Sequence, residues 1–161
     1  MNINKKKLIV IVGPTASGKT ELSIKIAQIY DSEIISADSK QFYKELNIGT
    51  AKPSENELKK VKHHFINNIS IYDSLSAGKY AFQVNELLKK YFKIKNIAVL
   101  VGGSGLFIDS ILFGIDDIRT VPDSVRQKFN KLYKEKGLKF LCKKLEKIDP
   151  EYYEIVDKKN Y

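Results

Sequence analysis

The sequence has almost no cysteine, no tryptophan and only four prolines. The single thiol, Cys142, cannot form an internal disulfide, which favours a reducing cytosol, and we expect a small core side chain. No apolar run approaches the ~20 residues that span a bilayer, so we expect no membrane segment. The basic and apolar start, MNINKKKLIVIVG, is interpreted as a first strand because a glycine-rich motif follows it.

Acidic residues are also scarce, and the formal net charge is +9. The excess positive charge is concentrated between residues 125 and 147, which contain nine Lys or Arg and two Glu. Such a block attracts phosphate backbones, with an affinity that falls steeply with salt. The charge alone is equally compatible with a solvated helix face. No Gly/Ser-rich or Pro-rich linker and no repeat divides the chain.

Apolar strands alternate with amphipathic helices along the first 121 residues. KKLIVIVG, SEIIS and NIAVLVGG are typical of parallel strands, and we interpret the first as a central one. The pattern predicts an α/β fold, a P-loop NTPase-like parallel sheet flanked by helices. A basic helical segment over 122–161 is the second predicted region.

The helices are predicted from their apolar spacing. Leu22, Ile26 and Ile29, with Ala27 and Tyr30, define one apolar face of the first helix. GLFIDSILFG is predicted to be a short buried helix. Ligands bind beyond the carboxyl ends of parallel strands. The loops GPTASGKT, ADSKQ and GGSG follow the three strands, so we expect them to form one site.

The first of these loops fits the phosphate-binding pattern G-x-x-x-x-G-K-[ST] between a strand and a helix. Its backbone N–H groups and the helix N-terminus favour phosphate oxygens. Lys19 supplies a charge to the terminal phosphates, and Thr20 offers a hydroxyl to Mg²⁺. The pattern does not say which polyphosphate binds.

Asp38 ends the second strand at the same mouth. Three roles are open from its position: a magnesium-linked carboxylate, a general base, or the N-cap of a helix through Phe42 and Tyr43. Gln41 carries an amide suited to the edge of a nucleobase. Two roles are open for NIGTAKP, the segment that follows: it could be only a loop, or its Lys52 could reach a phosphate.

GPTASGKT, ISADSKQFYKELNIGTAKP, HHFIN and VGGSGLFIDSILFG, in this order, resemble the tRNA dimethylallyltransferase family. The resemblance implies transfer of an isopentenyl group from dimethylallyl diphosphate to adenine N6 next to the tRNA anticodon. It implies that the P-loop binds this diphosphate with Mg²⁺ on Thr20, and that Asp38, Lys19 and Thr20 are catalytic. The diphosphate-binding residues would be Gly13, Pro14, Thr15, Ala16, Ser17, Gly18, Lys19 and Thr20. The tRNA-binding residues would be Asp38, Ser39, Lys40, Gln41, Ser104 and Arg126.

Some positions depart from the family pattern. Ser104 and Phe107 replace Thr and Tyr, Lys40 stands where Met is common, and Lys62 precedes the histidine pair in place of Pro. The two histidines, His63 and His64, could be structural or could contact the site. Members of the family are longer, so this chain looks like a fragment. The resemblance implies that 122–161 is the start of a tRNA-binding insertion and that the remainder of the family's chain is absent. We expect a cytoplasmic monomer whose partners are dimethylallyl diphosphate and the tRNA anticodon stem-loop.

Two other functions compete with this interpretation. A small P-loop kinase for a nucleotide or metabolite would need an arginine-rich lid, and the chain has only Arg119 and Arg126. An inactive, truncated nucleotide- or RNA-binding fragment would keep the fold and lose turnover. Binding of dimethylallyl diphosphate or of ATP would separate the first from the main interpretation.

Overall fold

A computed structural model describes residues 5–115 and 121–159. The chain divides into two compact units, Met1–Asp116 and Asp117–Tyr161. Arg119, one of the two arginines, lies outside the described residues. The first unit contains β1 (Lys7–Val12), α1 (Lys19–Ile29), β2 (Ile34–Ser36), α2 (Glu55–Lys60), β3 (His63–His64), α3 (Ala77–Tyr91), β4 (Ile97–Gly102) and α4 (Gly105–Leu112).

The four strands form one parallel sheet in the order β1-β4-β2-β3. The predicted α/β class and parallel sheet are therefore confirmed. The prediction that the first strand is central is wrong, because β4 lies between β1 and β2 and β1 lies at one end of the described sheet. A continuous apolar run indicates that both faces of a strand are buried, but it does not indicate the position of the strand in the sheet.

Two buried clusters, one on each face of the sheet, hold the first unit together. Phe42, Tyr80 and Leu100 centre one cluster, and Ile34, Val99 and Ala27 centre the other. The Phe42 and Tyr80 rings stack with centroids 5.1 Å apart. The Tyr80 hydroxyl donates to the Ser36 carbonyl over 2.6 Å, so α3 is fixed to the end of β2 beside the candidate site.

The predicted apolar face of α1 is only partly correct. Ile29 is 74% exposed and Leu22 is 49% exposed, whereas Ser23, Ile24 and Ala27 are buried. The small Ser23 and Ala27 side chains allow close approach to the sheet, and the Ser23 hydroxyl is satisfied by the Thr20 carbonyl at 2.8 Å. Similarly, α4 is not wholly buried, since Leu106 is exposed while Ile108 and Ser110 are enclosed.

β4 ends at Gly102, where the chain has no room for a side chain. A Cβ there would lie 2.2 Å from the Ala37 carbonyl oxygen, far inside van der Waals contact. The close approach lets the Ala37 amide donate to the Val101 carbonyl over 2.7 Å. The loops after β2 and β4 are thereby held against each other, which places their polar residues in one site.

The second unit is helical, as predicted. It contains α5 (Asp123–Ile148) and α6 (Pro150–Ile155), and α5 is interrupted at Gly137, whose φ of 72° and ψ of 176° are not helical. The interruption separates the two predicted basic helices. Cys142 is partly buried here, among apolar residues that include Leu138 and Leu145. None of the helices in the described ranges has the length and apolar character needed to cross a bilayer.

Candidate active site

The P-loop forms the first wall of the site, between β1 and α1. Ala16 and Gly18 have left-handed φ values of 64° and 81°, and the resulting curl brings the loop back to the start of α1. The Ser17 hydroxyl donates to the Pro14 carbonyl over 2.8 Å, and the Lys19 ammonium donates to the same carbonyl. The Lys19 side chain therefore lies along the loop.

Asp38 follows β2 and begins a turn. One of its carboxylate oxygens accepts a hydrogen bond from the Lys40 amide at 3.0 Å, and no helix starts here. The N-cap interpretation of Asp38 is therefore wrong, because the side chain caps a turn. That bond orients the carboxylate through its Oδ1 atom, so Oδ2 can bind another group.

Ser104 connects the loop after β4 to the Asp38 turn. Its hydroxyl oxygen accepts from the Ser39 amide at 3.0 Å and donates to the Ser39 hydroxyl at 3.2 Å. The serine at this position therefore keeps a hydroxyl that the structure uses. The bond crosses 65 residues of sequence, so it sets the distance between two of the predicted loops.

Gln41 is a positioning residue in this structure. Its carbonyl oxygen accepts from the Ser36 hydroxyl at 3.0 Å, and its amide nitrogen donates to the Ala51 carbonyl at 2.9 Å. Both ends of the amide are thus engaged within the chain, so reading a nucleobase edge would require these bonds to break. The side chain ties the end of β2 to the turn that contains Thr50 and Ala51.

Lys52 is also engaged within the chain. Its ammonium donates to the Tyr43 carbonyl at 2.6 Å and to the Asn67 and Asn47 side chains at 2.6 and 3.1 Å. Burial lowers its pKa, which the charge of Glu45 partly offsets. The expectation that Lys52 reaches a phosphate is replaced by a structural role, closing the turn after Asp38.

Two adjoining cavities meet at Asp38. The larger, of about 270 Å³, is a cleft lined by Pro14, Thr15, Asp38, Ser39, Lys40, Gly49, Thr50, Gly103 and Ser104. The smaller, of about 30 Å³, is a chamber lined by Lys19, Thr20, Ser23, Ser36, Asp38, Gln41, Pro53, His63, Ile66, Val101 and Gly102. We call them the cleft and the chamber. Asp38 is the predicted catalytic residue that lines both.

The two histidines have different surroundings. His64 Nε2 lies 2.6 Å from a Glu33 carboxylate oxygen. Burial raises the pKa of Glu33, but the His64 bond and the nearby Lys62 charge outweigh it, and the net pKa is lowered. His63 lines the chamber, and its Nδ1 lies 2.8 Å from the Val61 carbonyl. The sequence alone could not assign the Glu33 contact to His64 and the chamber position to His63, because the two residues are adjacent in one two-residue strand.

Arg126, the remaining predicted tRNA contact, lies in the exposed first half of α5 in the second unit. The structure thus brings the P-loop residues, Asp38, Ser39, Lys40, Gln41 and Ser104 together in the first unit. Arg126 is described apart from them.

The oxygen donors around the chamber suit magnesium. Thr20 offers a hydroxyl and Asp38 a carboxylate, both hard ligands of the kind Mg²⁺ prefers. No cluster of three His, Cys, Asp or Glu able to hold a metal occurs within 5–115 and 121–159. Magnesium commonly binds through few protein oxygens plus substrate phosphates, so these residues fit a metal that arrives with a diphosphate.

Residues 41–161 match the family model described as IPP transferase. A tRNA dimethylallyltransferase of Flavobacterium johnsoniae is 44% identical over 155 residues, which are 96% of this chain and 50% of that protein. Another, from Christiangramia forsetii, is 49% identical over 95% of this chain and 51% of its own length. The chain therefore spans about half the length of these curated relatives.

Solved structures give a similar result. The full-length tRNA isopentenylpyrophosphate transferase of Bacillus halodurans superposes with a TM-score of 0.67 at 32% identity, covering 98% of this chain and 52% of that one. A eukaryotic dimethylallyltransferase, from a study of its action on tRNA, gives a TM-score of 0.80 at 25% identity, covering 96% and 38%.

Proposed function

Because the chain belongs to the IPP transferase family, we propose that it carries the donor site of a cytoplasmic tRNA dimethylallyltransferase. In this proposal the dimethylallyl group of dimethylallyl diphosphate moves to N6 of the adenine next to the anticodon. The observation that carries the proposal is the position of Asp38. Asp38 lines the cleft and also lines the chamber, where Lys19 and Thr20 lie.

The donor is held at the P-loop end of the site. The backbone N–H groups of Gly13 and of residues 15–20 and the Lys19 ammonium would bind the diphosphate, and the start of α1 adds its partial positive charge. The Thr20 hydroxyl would hold Mg²⁺, which when bound helps to neutralise the charge on the leaving diphosphate. Thr15 lines the cleft, and the allylic end of the donor would lie toward it.

The acceptor adenine enters the cleft. A base inside a folded RNA must leave its stack to reach an enzyme group, and a cleft of about 270 Å³ is near the size of small-ligand pockets. Ser39, Lys40 and Ser104 line it beside Asp38. The bond between Ser104 and Ser39 keeps this wall in place while the base is present.

Transfer then needs one proton acceptor and no covalent intermediate. The adenine N6 forms a bond to the allylic carbon while the carbon–oxygen bond to diphosphate breaks, and that electron pair leaves with the diphosphate. The N6 proton goes to the Asp38 carboxylate. A positioned base helps because an aromatic amine is a weak nucleophile until it loses its proton.

Donor binding tests the proposal directly. We expect dimethylallyl diphosphate with Mg²⁺ to raise the melting temperature of the chain, because a ligand that binds only the folded state stabilises it by mass action. ATP with Mg²⁺ is the control for the kinase alternative. A larger shift with ATP than with dimethylallyl diphosphate would contradict the proposed donor and favour a kinase.

The basic residues of α5 support tRNA as the acceptor. Arg126 and most of the lysines of α5 are exposed. Such side chains bind phosphates without reading the nucleotide sequence. If three or four phosphates are neutralised, tRNA affinity should fall on the order of 10²-fold between 50 and 200 mM salt. Arg126→Ala should reduce the slope of log affinity against log salt by about one, and Lys25→Ala on α1 is the matched control. Equal slopes for both variants would exclude Arg126 as a phosphate contact.

A further inference from the structure

His63 has an unusual hydrogen-bonding state. Its Nε2 is shielded from solvent and is the one buried side-chain polar atom without a hydrogen-bond partner within 5–115 and 121–159. Buried polar atoms are satisfied in the large majority of cases, and an exception calls for a physical reason. The ring lines the chamber, together with Lys19, Thr20 and Asp38.

The other ring nitrogen defines the tautomer. His63 Nδ1 lies 2.8 Å from the Val61 carbonyl oxygen, which can only accept, so Nδ1 carries the hydrogen and donates. In the neutral ring Nε2 then carries a lone pair. A protonated ring would instead bury an unpaired N–H, and burial accordingly lowers the pKa of His63 although the Val61 bond opposes this. The atom is therefore a hydrogen-bond acceptor.

Its neighbours in the chamber leave few candidates for the missing donor. The Ser23 and Ser36 hydroxyls already donate, to the Thr20 carbonyl and the Gln41 side chain at 2.8 and 3.0 Å. The Lys19 ammonium uses one of its three N–H groups on the Pro14 carbonyl, and neither Lys19 nor the Thr20 hydroxyl bonds to Nε2 in the structure. A chamber of about 30 Å³ holds one or two water molecules, since one water needs roughly 10–15 Å³ on this scale.

We propose that His63 is a positioning residue of the donor site, whose Nε2 accepts a hydrogen bond from a chamber water that becomes a ligand of Mg²⁺ when the metal binds at Thr20. The inference rests on the proposed function. Magnesium keeps several waters when it binds through phosphates, and these waters need acceptors. Acceptors of this kind that orient metal ligands typically contribute 10- to 100-fold to metal affinity.

Two substitutions separate the two ring nitrogens. In His63→Asn the side-chain nitrogen takes the place of Nδ1 and can still donate to Val61, but no acceptor reaches the chamber. In His63→Gln the amide oxygen can take the place of Nε2. His64→Gln is the matched control, because His64 contacts Glu33 and does not line the chamber.

The experiment measures binding of inorganic diphosphate and of dimethylallyl diphosphate by titration calorimetry, with and without Mg²⁺. We expect His63→Asn to lose roughly 10-fold in Mg²⁺-dependent affinity. His63→Gln and His64→Gln should stay near the wild-type value, and Mg²⁺-free binding should be equal in all four proteins. Wild-type affinity in His63→Asn would overturn the inference and leave the proposed function intact. Absence of Mg²⁺-dependent binding in the wild type would overturn the proposed function, and the inference with it.

A second measurement uses only the wild-type protein and so does not depend on whether a variant folds. The chain has two histidines, so nitrogen-15 spectra of the imidazole rings resolve each one. The wild type should show His63 protonated at Nδ1, and adding Mg²⁺ with diphosphate should shift its Nε2 resonance while leaving His64 unchanged. A His63 ring protonated at Nε2, or an Nε2 resonance that the metal complex does not move, would overturn the inference.

Discussion

Asp38→Asn should slow transfer of the dimethylallyl group to tRNA by about 10²- to 10⁴-fold, the usual cost of losing a general base. The substitution keeps the size of the side chain and an oxygen that can accept from the Lys40 amide, so the turn should persist. An amide cannot take the N6 proton. The measurement is isopentenyladenosine in tRNA digests, with the chain in excess over tRNA so that one turnover suffices.

Donor affinity separates this role from the alternatives that the sequence leaves open. Dimethylallyl diphosphate should bind Asp38→Asn nearly as well as the wild type if the carboxylate acts on the adenine. Asp73→Asn is the matched control, because Asp73 also accepts a backbone bond in a turn, from Ser70 at 3.3 Å. A parallel loss of donor affinity and transfer in Asp38→Asn would instead make Asp38 a magnesium or structural residue.

The general form of the site could be predicted because it depends on local rules. A strand, a glycine-rich turn and a helix follow one another at Gly13–Thr20, and parallel strands bring their following loops to one edge. Asp38 therefore lines both cavities together with P-loop residues, and Ser104 lines the cleft with them. Predicting this site did not require the order of the strands in the sheet. The prediction that β1 is central concerned that order and was wrong.

The roles of Gln41, Lys52 and His63 could not be predicted, because their partners are set by tertiary contacts. Gln41 bonds to carbonyls nine and ten residues away, in a turn whose Ala51 has a left-handed φ of 47°. A free amide and an engaged amide look alike in sequence. The state of His63 depends on the Val61 carbonyl and on the walls of a chamber to which α1, three strands and the intervening loops contribute. Helical spacing also predicted an apolar face of α1 that includes Leu22 and Ile29, whereas packing buries Ser23, Ile24 and Ala27.

Lys19→Ala should lower the affinity for dimethylallyl diphosphate at least about 10²-fold. Two charge-assisted hydrogen bonds to phosphate, at about 1.5 kcal/mol each, amount to about 3 kcal/mol, and 1.4 kcal/mol is tenfold. The fold should persist, because Lys19 contributes one side-chain bond, to the Pro14 carbonyl, and is not part of either buried cluster. Calorimetric titration with Mg²⁺ measures the affinity, and thermal unfolding checks the fold.

Lys25→Ala is the matched control, since it removes the same charge from the same helix. Lys25 is 64% exposed and pairs with Glu21 at 2.7 Å, a surface contact that contributes little to stability. If long-range charge alone attracted the diphosphate, the two variants would lose similar amounts of affinity, and the loss would vanish at high salt. A loss confined to Lys19→Ala and retained at high salt requires a direct contact between this side chain and the phosphates. Equal affinities of the two variants would show that Lys19 makes no direct contact with the donor phosphates, and the family assignment would then establish the fold without establishing this contact.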